Sequence, residues 1–327
     1  MTDALIPLPA PATSPLHGFG LSRAELVELL RIRPARALGM STLHLGVWLT
    51  AAVALTRVDS LWAKLPLWLL AGSAVMGLIQ LDHDAWHENL FPRPWQNRLF
   101  GNALSLLVGI AYEPMRHDHL AHHRWNRTEK DPDAYNAGRR SLGLSALYYA
   151  TVFLGIPLSL IYFNVLYPLQ HFERSRLRRH VLVLLGYVAF YAALFSFLST
   201  HGWLRAAVEC WLLPVLFASP LNGLKSIADH YDNVWRGDRF HTATTVRSTR
   251  LVTFLWNGLN HHLDHHLFPR VPGYNLDRLH ARIRPALLAQ GACVFDSYLQ
   301  VMWRALRAGP SLVDEDVRLV TLERKSP

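Results

Sequence analysis

Long runs without charged residues constrain the fold most. Ala37 to Thr56 carries no charge and is long enough to cross a bilayer. A second apolar run, Leu65 to Leu81, follows after a short polar link. Two later runs, Val181 to Leu204 and Ala206 to Leu224, have the same character, with Glu209 near the end of the latter. Only 17% of residues are charged, against about a quarter in soluble proteins, so we expect an all-α integral membrane protein with four transmembrane helices.

Two further apolar segments are poorly suited to a simple crossing. Residues 99–112 are too few to span a bilayer and are predicted to form an interfacial or buried helix. Residues 142–172 are long enough, but Gly155, Pro157 and Pro168 interrupt them. We predict a broken helical hairpin here that enters and leaves the cytoplasmic leaflet. A single crossing by this segment would place the later histidines on the opposite side from the earlier ones. The hairpin keeps the arginine-rich segment 173–180 and all the histidine clusters on the cytoplasmic side.

Charge sets the orientation and the domain limits. Four arginines between residues 23 and 36 precede the first run, which predicts cytoplasmic N- and C-termini. We expect residues 1–36 to be a cytoplasmic tail with a short amphipathic helix, residues 37–290 to be the membrane domain, and residues 291–327 to be a second cytoplasmic tail. The formal charge of +9 does not indicate a nucleic-acid partner, because the basic residues are scattered beside apolar runs.

Eighteen histidines are the compositional anomaly, and most fall in or near three clusters. On a helix, residues three or four apart share a face. Eight imidazoles can therefore converge from three segments predicted to lie together in a cytoplasmic helical cap. These eight residues are His83 and His87; His119, His122 and His123; and His262, His265 and His266.

The number and type of these ligands indicate two metal ions. Zinc needs three or four protein ligands, so eight histidines suit a di-metal site. Imidazole binds Zn, Cu, Fe and Ni, and a nearly all-nitrogen site beside a bilayer points to redox iron. The Glu-rich pattern of ferritin-like di-iron bundles is absent. The two cysteines, Cys210 and Cys293, are far apart and make a zinc ribbon or an iron–sulfur cluster very unlikely.

At these residues the chain resembles the membrane fatty-acid desaturase and hydroxylase superfamily. The three histidine boxes stand in the order and spacing of that superfamily, and the run from His265 to Pro269 and the Asp131-Pro132-Asp133 segment are similar too. The resemblance covers roughly residues 40 to 290. It implies two iron ions and a ninth nitrogen ligand, which His230 matches and for which His241 is the competitor. His117 and His261 lie at the wrong helical phase for ligands.

Several neighbouring residues are candidates for supporting roles. Metal-bound imidazole usually donates its other N–H to a carboxylate or carbonyl, so four aspartates are predicted to orient the ligands. For Asp131 and Asp133, a turn around Pro132 is an equal alternative. Trp86, between two box histidines, is a candidate for substrate contact or for simple packing. The four aspartates are Asp84, Asp131, Asp133 and Asp264.

The resemblance implies an O2-dependent oxidoreductase that introduces a double bond into a fatty acyl chain. A hydroxylase or ketolase of the same superfamily, acting on an acyl lipid, a carotenoid or a small amphiphile, remains open. No redox cofactor motif is present, so an external electron donor is implied: a ferredoxin, a rubredoxin or a cytochrome b5-like protein. A membrane metal transporter is disfavoured, because its ligands would lie inside the spans, where only His44 is central.

Overall fold

The computed structural model describes residues 19–133, 142–231, 233 and 237–308, and the fold there is almost wholly helical. The predicted tails therefore lie partly outside the described residues, at 1–18 and 309–327. The helices are α1 (Arg23–Leu29), α2 (Pro34–Leu55), α3 (Leu61–Trp86), α4 (Pro94–Val108), α5 (Tyr112–Trp125), α6 (Leu142–Ile161), α7 (Tyr167–His171), α8 (Arg174–Thr200), α9 (Leu204–Ala207), α10 (Leu213–Asp229), α11 (Arg250–Leu255), α12 (His262–Leu267), α13 (Leu276–Ala289) and α14 (Tyr298–Ala308). Strands β1 (Thr245–Val246) and β2 (Val294–Phe295) pair in parallel.

Within the described residues, five stretches of helix are long and apolar enough to cross a membrane, by length and composition. Helix α3 lies at the centre of the bundle, packed against α2, α4 and α10. Helix α8 is peripheral, because no residue of its most apolar window is buried inside the protein. These features give the chain the all-α architecture of a membrane protein. The five stretches are Arg23–Leu55, Leu61–Trp86, Val152–His171, Arg174–Thr200 and Leu204–Asp229.

Two prolines inside the apolar helices are accommodated by π-helical turns. Residues Tyr162–Leu166 form one such turn just before Pro168, and Val208–Leu212 form the other just before Pro214. A proline has no N–H, so carbonyls in the preceding turn lose their helical donor. Inside a bilayer such carbonyls need another donor, which neighbouring side chains can supply.

Side chains from neighbouring helices satisfy these carbonyls. Trp68 Nε1 donates to the Glu209 carbonyl at 2.8 Å, and Trp48 Nε1 donates to the Cys210 carbonyl at 2.8 Å. In the first turn, His180 Nε2 lies 2.8 Å from the Asn164 carbonyl. The indoles of α2 and α3 thus bind the second turn to the centre of the bundle.

The expected hairpin in residues 142–172 is not formed: Pro157 lies inside α6, a π turn precedes Pro168, and the helix continues from Leu142 to His171. Near the start of this helix, Tyr149 donates to the carbonyl of Ala305 in α14 at 2.8 Å. Near its end, the Tyr167 hydroxyl lies 2.7 Å from His117 Nδ1. The helix is therefore bound both to α14 and to the helix that carries the second box.

A helical cap covers one end of the bundle and includes both terminal segments. Leu29 of α1 is buried with residues of α12 and α13, and its carbonyl accepts a hydrogen bond from Asn275. At the other terminus, β2 pairs with β1, and Val301 of α14 packs against Ile227 of α10. The described parts of both predicted tails thus contribute side chains to the packing of the cap.

Candidate metal centre

Four segments bring the nine predicted ligands together beneath the cap. Helix α3 ends at Trp86 and presents His83 and the helix-capping His87. Helices α5 and α12 carry the second and third boxes, and His230 caps the end of α10. The nine side chains form two adjacent groups, in each of which one nitrogen per residue lies within 4.8 Å of the others. One group is His83, His87, His119, His123 and His265; the other is His122, His230, His262 and His266.

Helices α5 and α12 serve both groups, whereas α3 and α10 each serve one. The rings of His123 and His266 stack at 4.1 Å between the groups. Both histidines of the first box belong to the larger group, whereas the second and third boxes are divided: the i, i+4 pair of each stays in one group and its remaining histidine joins the other. The two positions therefore share supporting helices but differ in ligand number.

The spacing of the nitrogens fits metal coordination. In the larger group, His87 Nε2 lies 2.8 Å from His119 Nε2, and His123 Nε2 lies 3.0 Å from His265 Nε2. In the smaller group, His230 Nε2 lies 3.1 Å from the Nε2 atoms of both His122 and His262. Two nitrogens bound at about 2.1 Å and at right angles to one ion would lie about 3.0 Å apart.

The positions of the ring protons on His122 and His230 also fit a bound metal ion. His122 Nδ1 lies 2.8 Å from Asp131 Oδ1, and His230 Nδ1 lies 3.0 Å from the Thr242 carbonyl. Both acceptors require an N–H on Nδ1, so a neutral imidazole then has a lone pair on Nε2. Two such lone pairs face each other at 3.1 Å, an arrangement that a cation between them would stabilise. The donor set therefore fits a metal.

Burial keeps most of these imidazoles neutral. Burial, followed by the charges of neighbouring histidines, holds the pKa values of His119, His123 and His265 well below the usual range. The same causes, burial first, act on His262. His122 differs: burial lowers its pKa, but the hydrogen bond to Asp131 and the charge of Asp133 outweigh burial and raise it. Neutral imidazoles are the form that binds metals.

Asp131 combines the two roles that the sequence left open. Its Oδ1 accepts from His122 Nδ1 and also from the backbone N–H of Asp133 at 3.0 Å, which forms the turn around Pro132. Its Oδ2 accepts from the backbone N–H of Arg127 at 2.8 Å. Asp133 lies farther away, with Oδ2 3.6 Å from His122 Nδ1. Asp131 therefore fixes the orientation of the imidazole and the turn at once.

The predicted role of Asp84 and Asp264 in orienting the ligands stays a prediction, because the hydrogen bonds of both carboxylates are made away from the nine histidines. The Asp84 carboxylate instead accepts from Asn257 Nδ2 at 2.7 Å and from the Gly273 N–H at 2.9 Å. Asp264 instead contacts Thr245 and His280. On a helix, neighbours one or two positions from a ligand point about 100° or 200° away from it. The hydrogen bonds of both carboxylates therefore hold the surrounding segments.

Three supporting residues were missed by the sequence interpretation. Asp229 Oδ2 lies 3.7 Å from His262 Nδ1 and 2.5 Å from the buried ammonium of Lys225. Asn126 Nδ2 lies 3.2 Å from His266 Nδ1. A sequence signal existed for Asp229, which directly precedes His230 and lies four residues after Lys225, one turn away on the same helix face. Asn126 lies just beyond the second box in a non-helical conformation, which spacing rules do not address.

Trp86 lies against the larger group. Its ring is 5.5 Å from that of His83 and 5.2 Å from that of His119. A separate small cavity lies between α2, α3 and α4 and is apolar apart from Asp82. The cavity is lined by Trp48, Val75, Leu78, Ile79, Asp82, Leu104, Leu107 and Val108.

The two histidines excluded on helical phase, His117 and His261, and the competitor for the ninth ligand, His241, lie elsewhere. His117 Nδ1 contacts the Tyr167 hydroxyl at 2.7 Å. His241 Nδ1 lies 2.9 Å from Asp238 Oδ1, in an exposed loop. His261 belongs to a separate cluster with Asp264 and His280. None of the three is a member of the two main groups.

Apolar helices capped by two adjacent histidine groups define a membrane protein with a nitrogen-rich centre that is compatible with metal binding. Comparison with known proteins gives the family: residues 59–298 match the family model described as fatty acid desaturase. This match covers more than half of the chain. The chain therefore belongs to the fatty acid desaturase family, and its function is that of a fatty-acid desaturase.

Individual relatives agree with the family. The chain is 24% identical over 282 residues to an sn-1 oleoyl-lipid 12-desaturase of Picosynechococcus sp., a match that covers 79% of each chain. It is 25% identical over 233 residues to a chloroplastic omega-6 fatty acid desaturase of Spinacia oleracea, covering 66% of this chain and 52% of the relative. It is 26% identical over 225 residues to fatty acid desaturase 3 of Homo sapiens, covering 61% and 50%. The chain spans about half the length of the last two.

Proposed function

We propose that this protein introduces a double bond into an acyl chain of a membrane lipid, with two iron ions bound by the nine histidines and O2 as co-substrate. The names of the relatives support the acyl-lipid substrate, because the cyanobacterial proteins are described as oleoyl-lipid 12-desaturases. The small cavity whose lining includes Asp82, the residue before the first box, is apolar on its other walls. Carotenoid or small-amphiphile oxidation has no comparable support.

One observation carries the proposal: the imidazoles form two adjacent groups of five and four. Within these groups, facing Nε2 atoms lie 2.8 to 3.1 Å apart, as two nitrogens bound to one metal ion would. Imidazole binds iron, so the nitrogen-only donor set is compatible with two iron ions. When bound, two irons would supply the O2-dependent removal of two hydrogens from unactivated C–H bonds. The protein's own residues would bind the acyl chain and hold the metal ligands in place.

The protein's residues bind the chain and hold the ligands. Leu78, Ile79 and Leu104 provide apolar surface next to the first box, which would place a methylene near His83. Trp86 packs against the imidazoles of the larger group. Asp131 holds the proton of His122 on Nδ1, so that Nε2 presents its lone pair to the metal.

The reducing electrons must come from a separate protein. We infer a ferredoxin, a rubredoxin or a cytochrome b5-like donor, because the sequence contains no cofactor fingerprint for flavin, nicotinamide or a Cys-ligated cluster. The formal charge of +9 would favour the approach of an acidic donor. We also infer that the cap and both termini face the cytoplasm, because arginine-rich segments precede α2 and open α8.

The test is expression of the full chain in a host of known lipid composition, followed by mass spectrometry of the acyl chains. New double bonds are expected, and they should depend on His122. His122→Ala should abolish them while membrane insertion is kept, and His117→Ala is the matched control, because His117 lies on the same helix outside both groups. Hydroxyl or keto products without alkenes would instead establish the hydroxylase or ketolase alternative.

Metal analysis tests the centre separately. Purified protein from iron-replete cells should contain two irons per chain, and spectroscopy should show nitrogen ligands. One zinc without iron would contradict the proposed centre even if the lipid assay were positive.

A further inference from the structure

A second polar cluster lies in the cap beside the metal centre, and its His261 directly precedes His262 of the third box. It contains His261, Asp264 and His280, all of them buried, and their ligand-type atoms lie within 4.8 Å of one another. These residues come from the start of α12 and from α13. None of them belongs to the nine-histidine set, and the desaturase activity proposed above does not use them.

His280 is held as metal-binding histidines usually are. Its Nδ1 lies 3.0 Å from Asp264 Oδ1, and Asp264 Oδ2 accepts a 2.5 Å hydrogen bond from the Thr245 hydroxyl. A carboxylate on one ring nitrogen fixes the tautomer and leaves a lone pair on the other. That other nitrogen, His280 Nε2, is buried and has no hydrogen-bond partner among the described residues. Its residue is only 6% exposed.

His261 adds a second imidazole and Asp277 adds a charge. The rings of His261 and His280 stack at 4.5 Å with an angle of 21° between them. His261 is 4% exposed, and its Nδ1 likewise has no hydrogen-bond partner in the described part of the chain. Its Nε2 lies 3.4 Å from Asp277 Oδ1, whose side chain is 74% exposed. Asp277 lies in the first turn of α13, and its exposed side chain opens the cluster to solvent.

An unsatisfied buried ring nitrogen costs about 1–3 kcal/mol, and in the described part of the chain this cluster has three: His280 Nε2 and both ring nitrogens of His261. A metal ion bound by one nitrogen of each ring would satisfy two of them. The neighbouring carboxylates of Asp264 and Asp277 balance the charge of a divalent ion, and imidazole suits first-row transition metals. The charge of Arg250 also reaches Asp277, but Asp277 remains ionised because its contact with His261 lowers its pKa.

We propose that His261 and His280 bind a divalent transition-metal ion at a site separate from the two-iron centre, with Asp264 holding His280 by its Nδ1 and Asp277 lying beside His261. The ion reaches the site through the exposed carboxylate of Asp277. Because the site joins α12 to α13 next to His262, its occupancy stiffens the third box from the cap side. This inference concerns the cap alone and does not depend on the identity of the lipid substrate.

The experiment is a cobalt titration of the purified full chain after iron loading. Co2+ gives visible absorption bands that report nitrogen and oxygen ligands, and metal analysis counts both iron and cobalt. The wild type is expected to bind one Co2+ per chain beyond its iron. Asp277→Asn should weaken this binding about tenfold or more, and His280→Gln should abolish it, while iron content stays constant.

His241→Gln is the matched control, because His241 forms another His–Asp pair, with Asp238, outside the cluster. It should bind cobalt as the wild type does. Absence of an additional Co2+ from the iron-loaded wild type would overturn the proposal, as would unchanged binding in both cluster variants. Asp277 is exposed, so its variant tests the site even if His280→Gln fails to fold. A wild type lacking iron but retaining the Asp277-dependent site would contradict the two-iron centre alone.

Discussion

Replacement of Asp131 by asparagine should weaken one iron and spare the other. Asp131 accepts hydrogen bonds from His122 Nδ1, from the backbone of Arg127 and from the backbone of Asp133. Asparagine has the same shape but only one accepting oxygen, so its NH2 group must face one of these donors. Since Asp131 contacts only the group of four histidines, the second iron position alone should lose support.

The size of the effect follows from the bond that is lost. A hydrogen bond to a charged group contributes about 1.5–3 kcal/mol. Each 1.4 kcal/mol changes an equilibrium constant about tenfold, so Asp131→Asn should lower the affinity of that position for iron by about ten- to a hundredfold. This agrees with the range found when supporting carboxylates of metal sites are removed.

The assay is the release of iron to a chelator, followed over time in detergent-solubilised protein. The wild type should release its two irons slowly, whereas Asp131→Asn should release one quickly and keep the other. Asp84→Asn is the control, because Asp84 is equally buried but bonds to Asn257 and Gly273 instead of a histidine. Release of both irons together, or wild-type kinetics in Asp131→Asn, would refute the assignment of Asp131 to one position.

Other predictions concern the ninth ligand, the π turn and the orientation. His230→Ala should leave between one and two irons per chain by metal analysis, and His241→Ala should leave both; full iron in His230→Ala would mean that another group is the ninth ligand. Trp48→Phe removes the donor to a π-turn carbonyl and should lower unfolding stability by about 1–2 kcal/mol, whereas exposed Trp62→Phe should not; equal thermal denaturation would count against that role. A cysteine at Arg178 should react with an impermeant reagent only from the cytoplasmic side, and labelling from the outside would reverse the proposed orientation.

The parts of the site that repeat along a helix could be predicted from the sequence. The boxes at i, i+3 and i+4 fall on shared faces, and the structure brings all of them together with His230. His117 was separated from the boxes by its helical phase. His230 rather than His241 was chosen as the match for the ninth ligand. Asp84 and Asp264 show the limit of this reasoning, because closeness in sequence to a ligand does not by itself direct a carboxylate to a ligand ring.

The course of residues 142–172 shows a second limit. Its prolines suggested a reversal of the chain, but a π turn absorbs Pro168, and His180 reaches the carbonyl of Asn164. His180 lies 16 residues away from Asn164 in the sequence, so no rule based on near neighbours predicts this hydrogen bond. The cluster around His280 was missed for a similar reason, since α13 meets α12 only through tertiary packing.

Helix α3 has a consequence for the lipid environment. It contains 26 residues, about 39 Å at about 1.5 Å per residue, and it carries the first box at its end. The hydrocarbon layer is only about 30 Å thick, so the helix is longer than the layer that surrounds it. Such a mismatch is relieved by tilting, and the tilt changes with bilayer thickness. Double bonds make a bilayer thinner and more disordered, so this enzyme would alter the tilt of its own metal-bearing helix as its product accumulates.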